Sequence, residues 1–522
     1  MRRHRPHLGL VSLLLPVAIG AQTPAPNGMT DPVATLDAYT AKVARDWQVP
    51  GLAISVVRDG RIVFAKGYGV RELGRPAPVD AQTLFAIGST TKAITAAALA
   101  LLVDDGKLRW DDPVTRYLPT FQTGDPYLTR EMTVRDLLTH RGGLGNADYL
   151  WYESEVPAAE VRRRVRFLRP AYSLRSSFIY QNVMYALAGD VVAAASGMPW
   201  EEFVRRRIFD PLGMTRTVAT LREAESSDNV ASPHDRVDGA IRPIRNASVD
   251  PVAPAGSIWS SVSDMARWML FMLDTARTAD GRHVLKPATW SELLKPQAIV
   301  TAQGFYPTAR LTRPHWTTYA LGWFQHDYNG RAVSFHTGSI DGMVAIIGLI
   351  PDERLGVYVL ANLDHAEVRH ALMYTVFDLW NPGPPGSGRE SRGAGRDWSA
   401  ELLRLYGGLQ AQADSARMRQ EAQRVAGTRP TLPLERYAGT YEDSLYGAAT
   451  VTHENGRLML RRGARRAVLE HWHYDTFRAR WANAWQGTSM ATFILGARGT
   501  PDRLEISGAT LRRAERSAAD SR

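Results

Sequence analysis

Between residues 30 and 380, strand patterns stand at the two ends of the sequence and helical patterns fill the middle. At the amino-terminal end, Leu52-Ala53-Ile54-Ser55-Val56-Val57 and Arg61-Ile62-Val63-Phe64-Ala65 flank Asp59-Gly60, the signature of a hairpin. At the far end, residues 320–323, 331–336, 343–350 and 356–361 read as consecutive strands, and 365–379 reads as a helix packing back on them. Helical spacing marks 31–47, the alanine-rich run after Ser89, most of 151–207, and 264–273. Isolated strands cannot bury their apolar faces alone. The expectation is therefore an α+β fold in which the two ends of the domain share one sheet.

The remaining sequence divides by composition. Residues 1–21 carry Arg2, Arg3 and Arg5, then an apolar run from Leu8 to Ile19, then Gly20 and Ala21, which reads as a secretory signal cleaved after Ala21 or Ala25. The run is short for a membrane span, and an uncleaved anchor is the alternative; the mature chain is expected to be exported, periplasmic or extracellular, with no stable span after processing. Residues 381–430 begin with Asn381-Pro382-Gly383-Pro384-Pro385-Gly386 and read as a linker followed by a polar helix over 398–425. Residues 431–516 return to short strands, such as Ala449-Thr450-Val451-Thr452 and Thr492-Phe493-Ile494, and form a smaller all-β, barrel-like domain.

Composition excludes several function classes. The sequence has no cysteine, which removes disulfides, thiolate catalysis and cysteine-ligated zinc. The formal charge is +10, with three of the arginines in the leader and no dense basic block interleaved with aromatics, so a nucleic-acid partner is not expected. His471-Trp472-His473 offers two imidazoles without a third ligand, and no metal or other cofactor is expected.

Three short motifs carry chemistry. Ser89 opens a helix and Lys92 follows three residues on, one turn away on the same face. A serine hydroxyl needs a base to become a nucleophile, and a lysine serves if burial lowers its pKa enough to leave a neutral amine. Arginine cannot do so. Only six of the 63 basic residues are lysine, so a lysine at this position is pointed. A capping serine with a solvated lysine has the same spacing. The helix start also directs the Ser89 N–H outward, where an oxyanion would be stabilised. Tyr180-Gln181-Asn182 supplies a phenol for phenolate or proton-relay work and an amide for a substrate carbonyl, although aromatic and polar residues at this spacing also make an ordinary helix face. His336-Thr337-Gly338-Ser339 ends a strand before the turn at Asp341-Gly342, where a substrate backbone can approach. His140-Arg141-Gly142 is a rival His-x-Gly, set in a loop and less suited to that role.

In this order the motifs resemble those of the serine β-lactamase and penicillin-binding-protein-like superfamily, on the class C β-lactamase and D-alanyl-D-alanine carboxypeptidase side: Ser-x-x-Lys, then Tyr-x-Asn, then Lys-Thr-Gly or His-x-Gly. Leu137-Leu138-Thr139-His140, Pro211-Leu212-Gly213-Met214 and Pro254-Ala255-Gly256-Ser257 add family-like phrases, and the resemblance covers residues 30–380. It implies a β-lactamase/transpeptidase-like antiparallel sheet flanked by helices, with a helical subdomain. It further implies Ser89 as the acylated nucleophile, Lys92 and Tyr180 sharing the proton work, and Asn182 binding a substrate amide. The N–H groups of Ser89 and Ser339 would form the oxyanion hole. His336, Gly338 and Ser339 complete the substrate-binding set.

Histidine stands where β-lactamases commonly carry lysine. Its ordinary pKa near 6.5 leaves little positive charge at pH 7, so esters, amides or D-amino-acid peptides are favoured over β-lactams, with carboxylate preference rising below that pH. The expected function is a secreted serine hydrolase acting on a small-molecule or peptide substrate. The alternative is a non-catalytic envelope protein that binds peptidoglycan peptides or a protein partner, which has no need of Lys92. Neither the natural substrate nor the oligomeric state is legible in the sequence.

Overall fold

The computed structural model describes residues 31–278, 280–380 and 396–515. The leader expected over 1–21 and the Pro-Gly segment opening at residue 381 lie outside the described residues.

The two ends of the domain do share one sheet. Eight antiparallel strands run in the order Arg61–Gly69, Gly51–Arg58, Leu355–Ala361, Met343–Ile350, Arg331–Ile340, Phe324–Tyr328, Thr317–Tyr319 and Ala298–Ile299. The join is a long ladder in which Ile54 faces Val359 and Val56 faces Val357. Alternation assigns the side chains to two layers. Ala53, Val57, Ala345, Ile347, Tyr358 and Leu360 pack with the helical middle of the chain. Leu52, Ile54, Val56, Val344, Ile346 and Val357 pack with helices on the opposite face. The Gly51–Arg58 and Leu355–Ala361 strands are thus buried on both sides, which explains why they read as near-continuous apolar runs.

Two expectations change. Residues 320–323 are not a strand but the tight turn between Thr317–Tyr319 and Phe324–Tyr328, closed by the Ala320 N–H on the Trp323 carbonyl at 2.8 Å. The apolar run is buried because the turn packs on the helix after Ser89: a Cβ at Gly322 would lie 2.8 Å from the Ala93 nitrogen. The helical stretch expected over 151–207 is broken. Ala158–Arg164 and Asn182–Ser196 are helices, and the chain between them is a short 3-10 turn, Val165–Phe167, followed by bends and turns, with Pro170 disfavouring helix at the residue before it.

Beyond the sheet, the helix Trp398–Ala422 docks by its amino-terminal turns, through Trp398, Leu402, Leu405 and Tyr406. Trp398 is fully buried, stacks on Tyr374 with ring centroids 4.7 Å apart, and donates its indole N–H to Asp378 at 2.8 Å. The later turns are largely exposed. Eight antiparallel strands from Gly439–Asp443 to Ala509–Arg513 then pair in sequence order and close into a barrel, Tyr441 facing Arg513 across the seam. Its interior is filled by Tyr437, Tyr441, Leu460, Phe477, Phe493 and Leu511.

The barrel touches the hydrolase fold through the turn at Arg462–Arg465. Gly463 there packs so closely that a Cβ would sit 2.4 Å from the Ser154 carbonyl oxygen. Arg462 donates to the Tyr149 carbonyl at 3.0 Å, and the Ala464 N–H reaches the Glu153 carbonyl at 3.3 Å.

Candidate active site

Ser89 sits in a short 3-10 turn, Gly88–Thr90, that leads directly into the helix Thr91–Asp104. Nearly every residue of that helix through Leu102 is buried, so it forms the axis of the helical layer. Ser89 itself is partly exposed, while Lys92 is fully buried. The Lys92 Nζ lies 3.0 Å from Ser89 Oγ, 2.8 Å from Asn182 Oδ1 and 2.9 Å from the Ala255 carbonyl oxygen. The last two partners only accept hydrogen bonds; the serine hydroxyl can also donate. An ammonium would donate to all three, whereas a neutral amine, with two N–H groups and one lone pair, donates to Asn182 and Ala255 and is left free to accept from Ser89. Burial drives the Lys92 pKa well below its ordinary value, opposed in part by the nearby Asp148 carboxylate.

Asn182 is the first residue of the helix Asn182–Ser196, which packs alongside the Ser89 helix. Its amide is oriented from both ends, Oδ1 by Lys92 and Nδ2 by donation to Asp148 Oδ1 at 3.0 Å. Tyr180, two residues earlier, places its ring 4.8 Å from the Lys92 Nζ. Burial raises the phenol pKa well above its ordinary value, with the Ser89 hydroxyl pulling the other way. Of the two expected forms of Tyr180, the neutral phenol fits this environment and the phenolate does not, since Lys92 is itself pushed toward neutrality.

The strand Arg331–Ile340 forms the facing wall. Its residues 334–340 pair with Met343–Ile350, whereas Phe324–Tyr328 pairs only with residues 331–335. From His336 onward the second edge of the strand carries no protein strand among the described residues, which is the geometry for adding an extended peptide. Two glycines bring this wall against the Gly88–Thr90 turn. A Cβ at Gly338 would lie 1.9 Å from the Ile87 carbonyl oxygen. Gly88 has φ +52°, and a Cβ there would lie 2.7 Å from the Ser339 nitrogen. Arg369 fixes the wall from behind, donating to the Gly338 carbonyl at 2.6 Å and to Ser339 Oγ at 2.9 Å. Its guanidinium is held by two bonds to Glu367, whose carboxyl it holds well below the usual carboxylate range against the cost of burial.

His336 corrects an expectation. It is 1% exposed, and both ring nitrogens are engaged, Nδ1 with the Thr337 carbonyl at 2.6 Å and Nε2 with the Tyr319 hydroxyl at 3.1 Å. Burial, with Lys92 nearby, pushes its pKa down to about 3. This direction runs against a rise in charge just below pH 6.5, because desolvation outweighs the ordinary basicity of imidazole.

The structure brings Ser89, Lys92, Tyr180 and Asn182 into one cluster and sets His336, Gly338 and Ser339 on the wall beside it. Sequence reasoning missed Asp148, Tyr319 and Arg369, none of which stands in a motif, and it quoted Ala255 within Pro254-Ala255-Gly256-Ser257 without giving it a role. It passed over His140, whose ring lies 4.2 Å from that of Tyr180. Among the described residues no three His, Asp or Glu side chains converge as metal ligands would.

An antiparallel sheet covered by helices on both faces, with a serine–lysine pair at a helix start beside a strand edge that is free among the described residues, is the arrangement of a β-lactamase-type serine hydrolase. The beta-lactamase family model matches residues 36–377, and the chain belongs to that family. A second model, a domain of unknown function (DUF3471), matches residues 423–519. Unguisins hydrolase ungD of Aspergillus violaceofuscus is 30% identical over 432 residues, which is 77% of this chain and 73% of that protein. Protein flp of Staphylococcus aureus (strain COL) is 23% identical over 326 residues, 60% of each chain. Among solved structures, the octameric penicillin-binding protein homologue from Pyrococcus abyssi matches with a TM-score of 0.59 at 22% identity, over 92% of this chain and 99% of that one. SurE matches over the same shares with a TM-score of 0.51 at 22% identity. These two likenesses are of fold, and they extend through the barrel.

Proposed function

We propose that the protein is an exported serine hydrolase that cleaves an ester, amide or D-amino-acid peptide through an acyl-enzyme on Ser89. The observation that carries this reading is the Lys92 amine, fully buried and 3.0 Å from Ser89 Oγ. In the reaction, neutral Lys92 takes the Ser89 proton as Oγ attacks the acyl carbon. The N–H groups of Ser89 and Ser339 receive the oxyanion. Tyr180 relays the proton to the departing amine or alcohol, and Asn182 holds a substrate amide. Water then attacks the ester, with the Lys92–Tyr180 pair as base, and Ser89 is regenerated.

The unpaired strand edge from His336 to Ser339 favours an acyl donor that binds extended, as a peptide-like chain. A buried, uncharged His336 offers no cation for a carboxylate, which sets β-lactams behind neutral substrates. The similarity to a protein named for unguisin hydrolysis supports a hydrolytic reading. Export rests on the leader pattern in residues 1–21.

The test is covalent labelling by a fluorophosphonate probe, read by mass spectrometry, beside turnover of nitrocefin, short acyl esters and D-alanyl peptides. Label is expected on the Ser89 peptide and none in Ser89→Ala. Lys92→Arg should keep the fold and lose turnover by about 10²–10⁴-fold, the ordinary worth of a general base. A folded wild type that takes no label identifies the protein as a binder instead.

A further inference from the structure

His140 has a backbone conformation its side chain does not favour. Its φ is +56°, in the left-handed region that costs a non-glycine residue about 1–2 kcal/mol. It is 2% exposed, and nothing in the nucleophile chemistry uses it. What the conformation achieves is visible in its hydrogen bonds. The His140 carbonyl accepts the Ile179 N–H at 2.9 Å and the Tyr172 hydroxyl at 3.2 Å. The ring Nδ1 accepts the Gln181 N–H at 3.0 Å. The backbone N–H groups of the two residues flanking Tyr180 are thus tied to one residue, and the imidazole lies against the phenol ring, 4.2 Å between centroids and tilted by 35°.

We propose that His140 is a positioning residue that clamps the Tyr180–Asn182 turn through its carbonyl and its Nδ1, and so aims the Tyr180 phenol at the serine–lysine pair. The role rests on the hydrolase reading above. It requires Nδ1 to be a bare acceptor, hence a neutral ring with its proton on Nε2. The surroundings enforce this. Lys92, Tyr180, Tyr185, Tyr319 and His336 all face the ring, and burial together with Lys92 and His336 disfavours an imidazolium. The Nε2–H has no protein partner among the described residues, so the Nδ1 bond is the polar tie that the ring makes.

Two amide side chains separate the clamp from simple filling of space. In His140→Asn the amide oxygen falls near the Nδ1 position, and asparagine tolerates left-handed φ. In His140→Gln the amide reaches instead toward the Nε2 position. His140→Asn is expected to keep kcat within about threefold, while His140→Gln and His140→Ala lose about a hundredfold in kcat with little change in KM, the scale of a misplaced proton-transfer group. Equal losses in Asn and Gln, or no loss in any variant, would overturn the assignment. Histidine-selective ¹⁵N NMR of the wild type gives a readout that needs neither turnover nor a folded variant. It should show a His140 ring in the neutral Nε2–H form across about pH 5 to 8. An Nδ1–H tautomer, or titration within that range, refutes the clamp. A wild type inert toward every substrate but with the expected tautomer removes the hydrolase reading and leaves the clamp standing.

Discussion

His336 and Lys92 show how burial alone rewrites the chemistry of a residue. Both are basic side chains in a wall of aromatic and aliphatic groups, and both are pushed toward neutrality by desolvation. For His336 the effect is testable as stability. Its folded pKa of about 3 lies below the ordinary 6.5, so between those values the unfolded chain binds a proton that the folded chain refuses. Stability from this group is full above about pH 6.5 and is lost as pH falls toward 3. The loss is roughly 1.4 kcal/mol per pH unit within that window. His326, pushed down to about 4, adds a loss of the same sign. Calorimetry from pH 7 to 4 is expected to show a falling Tm, with a shallower fall in His336→Gln; identical slopes in the two proteins would contradict the assignment. Over the range from about pH 5 to 8, any preference for carboxylate substrates should stay flat, since the ring never charges. The Ser89–Lys92 pair was legible in the sequence because its two members lie one helical turn apart. The charge state of His336 was not, because the groups that bury it, Tyr319 and Lys92 among them, come from distant segments.

At the level of elements, the decisive contact is between the Ser89 turn and the His336 strand. Backbone meets backbone there, and Gly338 leaves no room for a methyl group beside the Ile87 carbonyl. Gly338→Ala is expected to force the strand off the turn, costing about 1–3 kcal/mol of stability and at least tenfold in kcat/KM. Gly407→Ala makes the control: that glycine lies in the exposed helix Trp398–Ala422 with open space around it, and alanine should there be neutral or stabilising by about 0.5–1 kcal/mol. Melting curves and initial rates on the two proteins decide the matter, and parallel behaviour would refute the steric argument. The strands were readable where alternation or apolar runs persisted. They were misread at 320–323, where the same apolar residues are buried in a turn against a helix rather than in a ladder. The order of motifs along the chain pointed to Tyr180 and Asn182, which the fold places beside Lys92, whereas His140 was set aside, because its contacts lie in a turn some forty residues away in sequence.

For the whole molecule, the barrel bears on the site through the loop that it grips. Arg462 is 8% exposed and donates to the carbonyl of Tyr149, the residue after Asp148, whose carboxylate orients Asn182. Loss of one buried charged hydrogen bond, about 1.5–3 kcal/mol, should loosen this loop. Arg462→Ala is expected to lower kcat/KM about tenfold with both folds intact, whereas Arg461→Ala, which removes an exposed pair with Glu155, should leave it unchanged. Equal effects from the two substitutions would show that the barrel does not act through this contact. An all-β tail was foreseeable from strand spacing; its grip on the loop was not, since it depends on how two curved surfaces meet.

The ladder that joins Gly51–Arg58 to Leu355–Ala361 also sets a timetable. A ribosome adds about 5–20 residues per second, so the first of these strands waits roughly 15–60 s for the second to be made. During that interval the edge that will meet residue 357 has no mate, and the layer that will bury the helix after Ser89 is incomplete. The nascent chain therefore holds Ser89 and Lys92 long before the wall that faces them exists. Anything that recognises unpaired strand edges, from a chaperone to a second nascent copy, has its opportunity before residue 361 emerges.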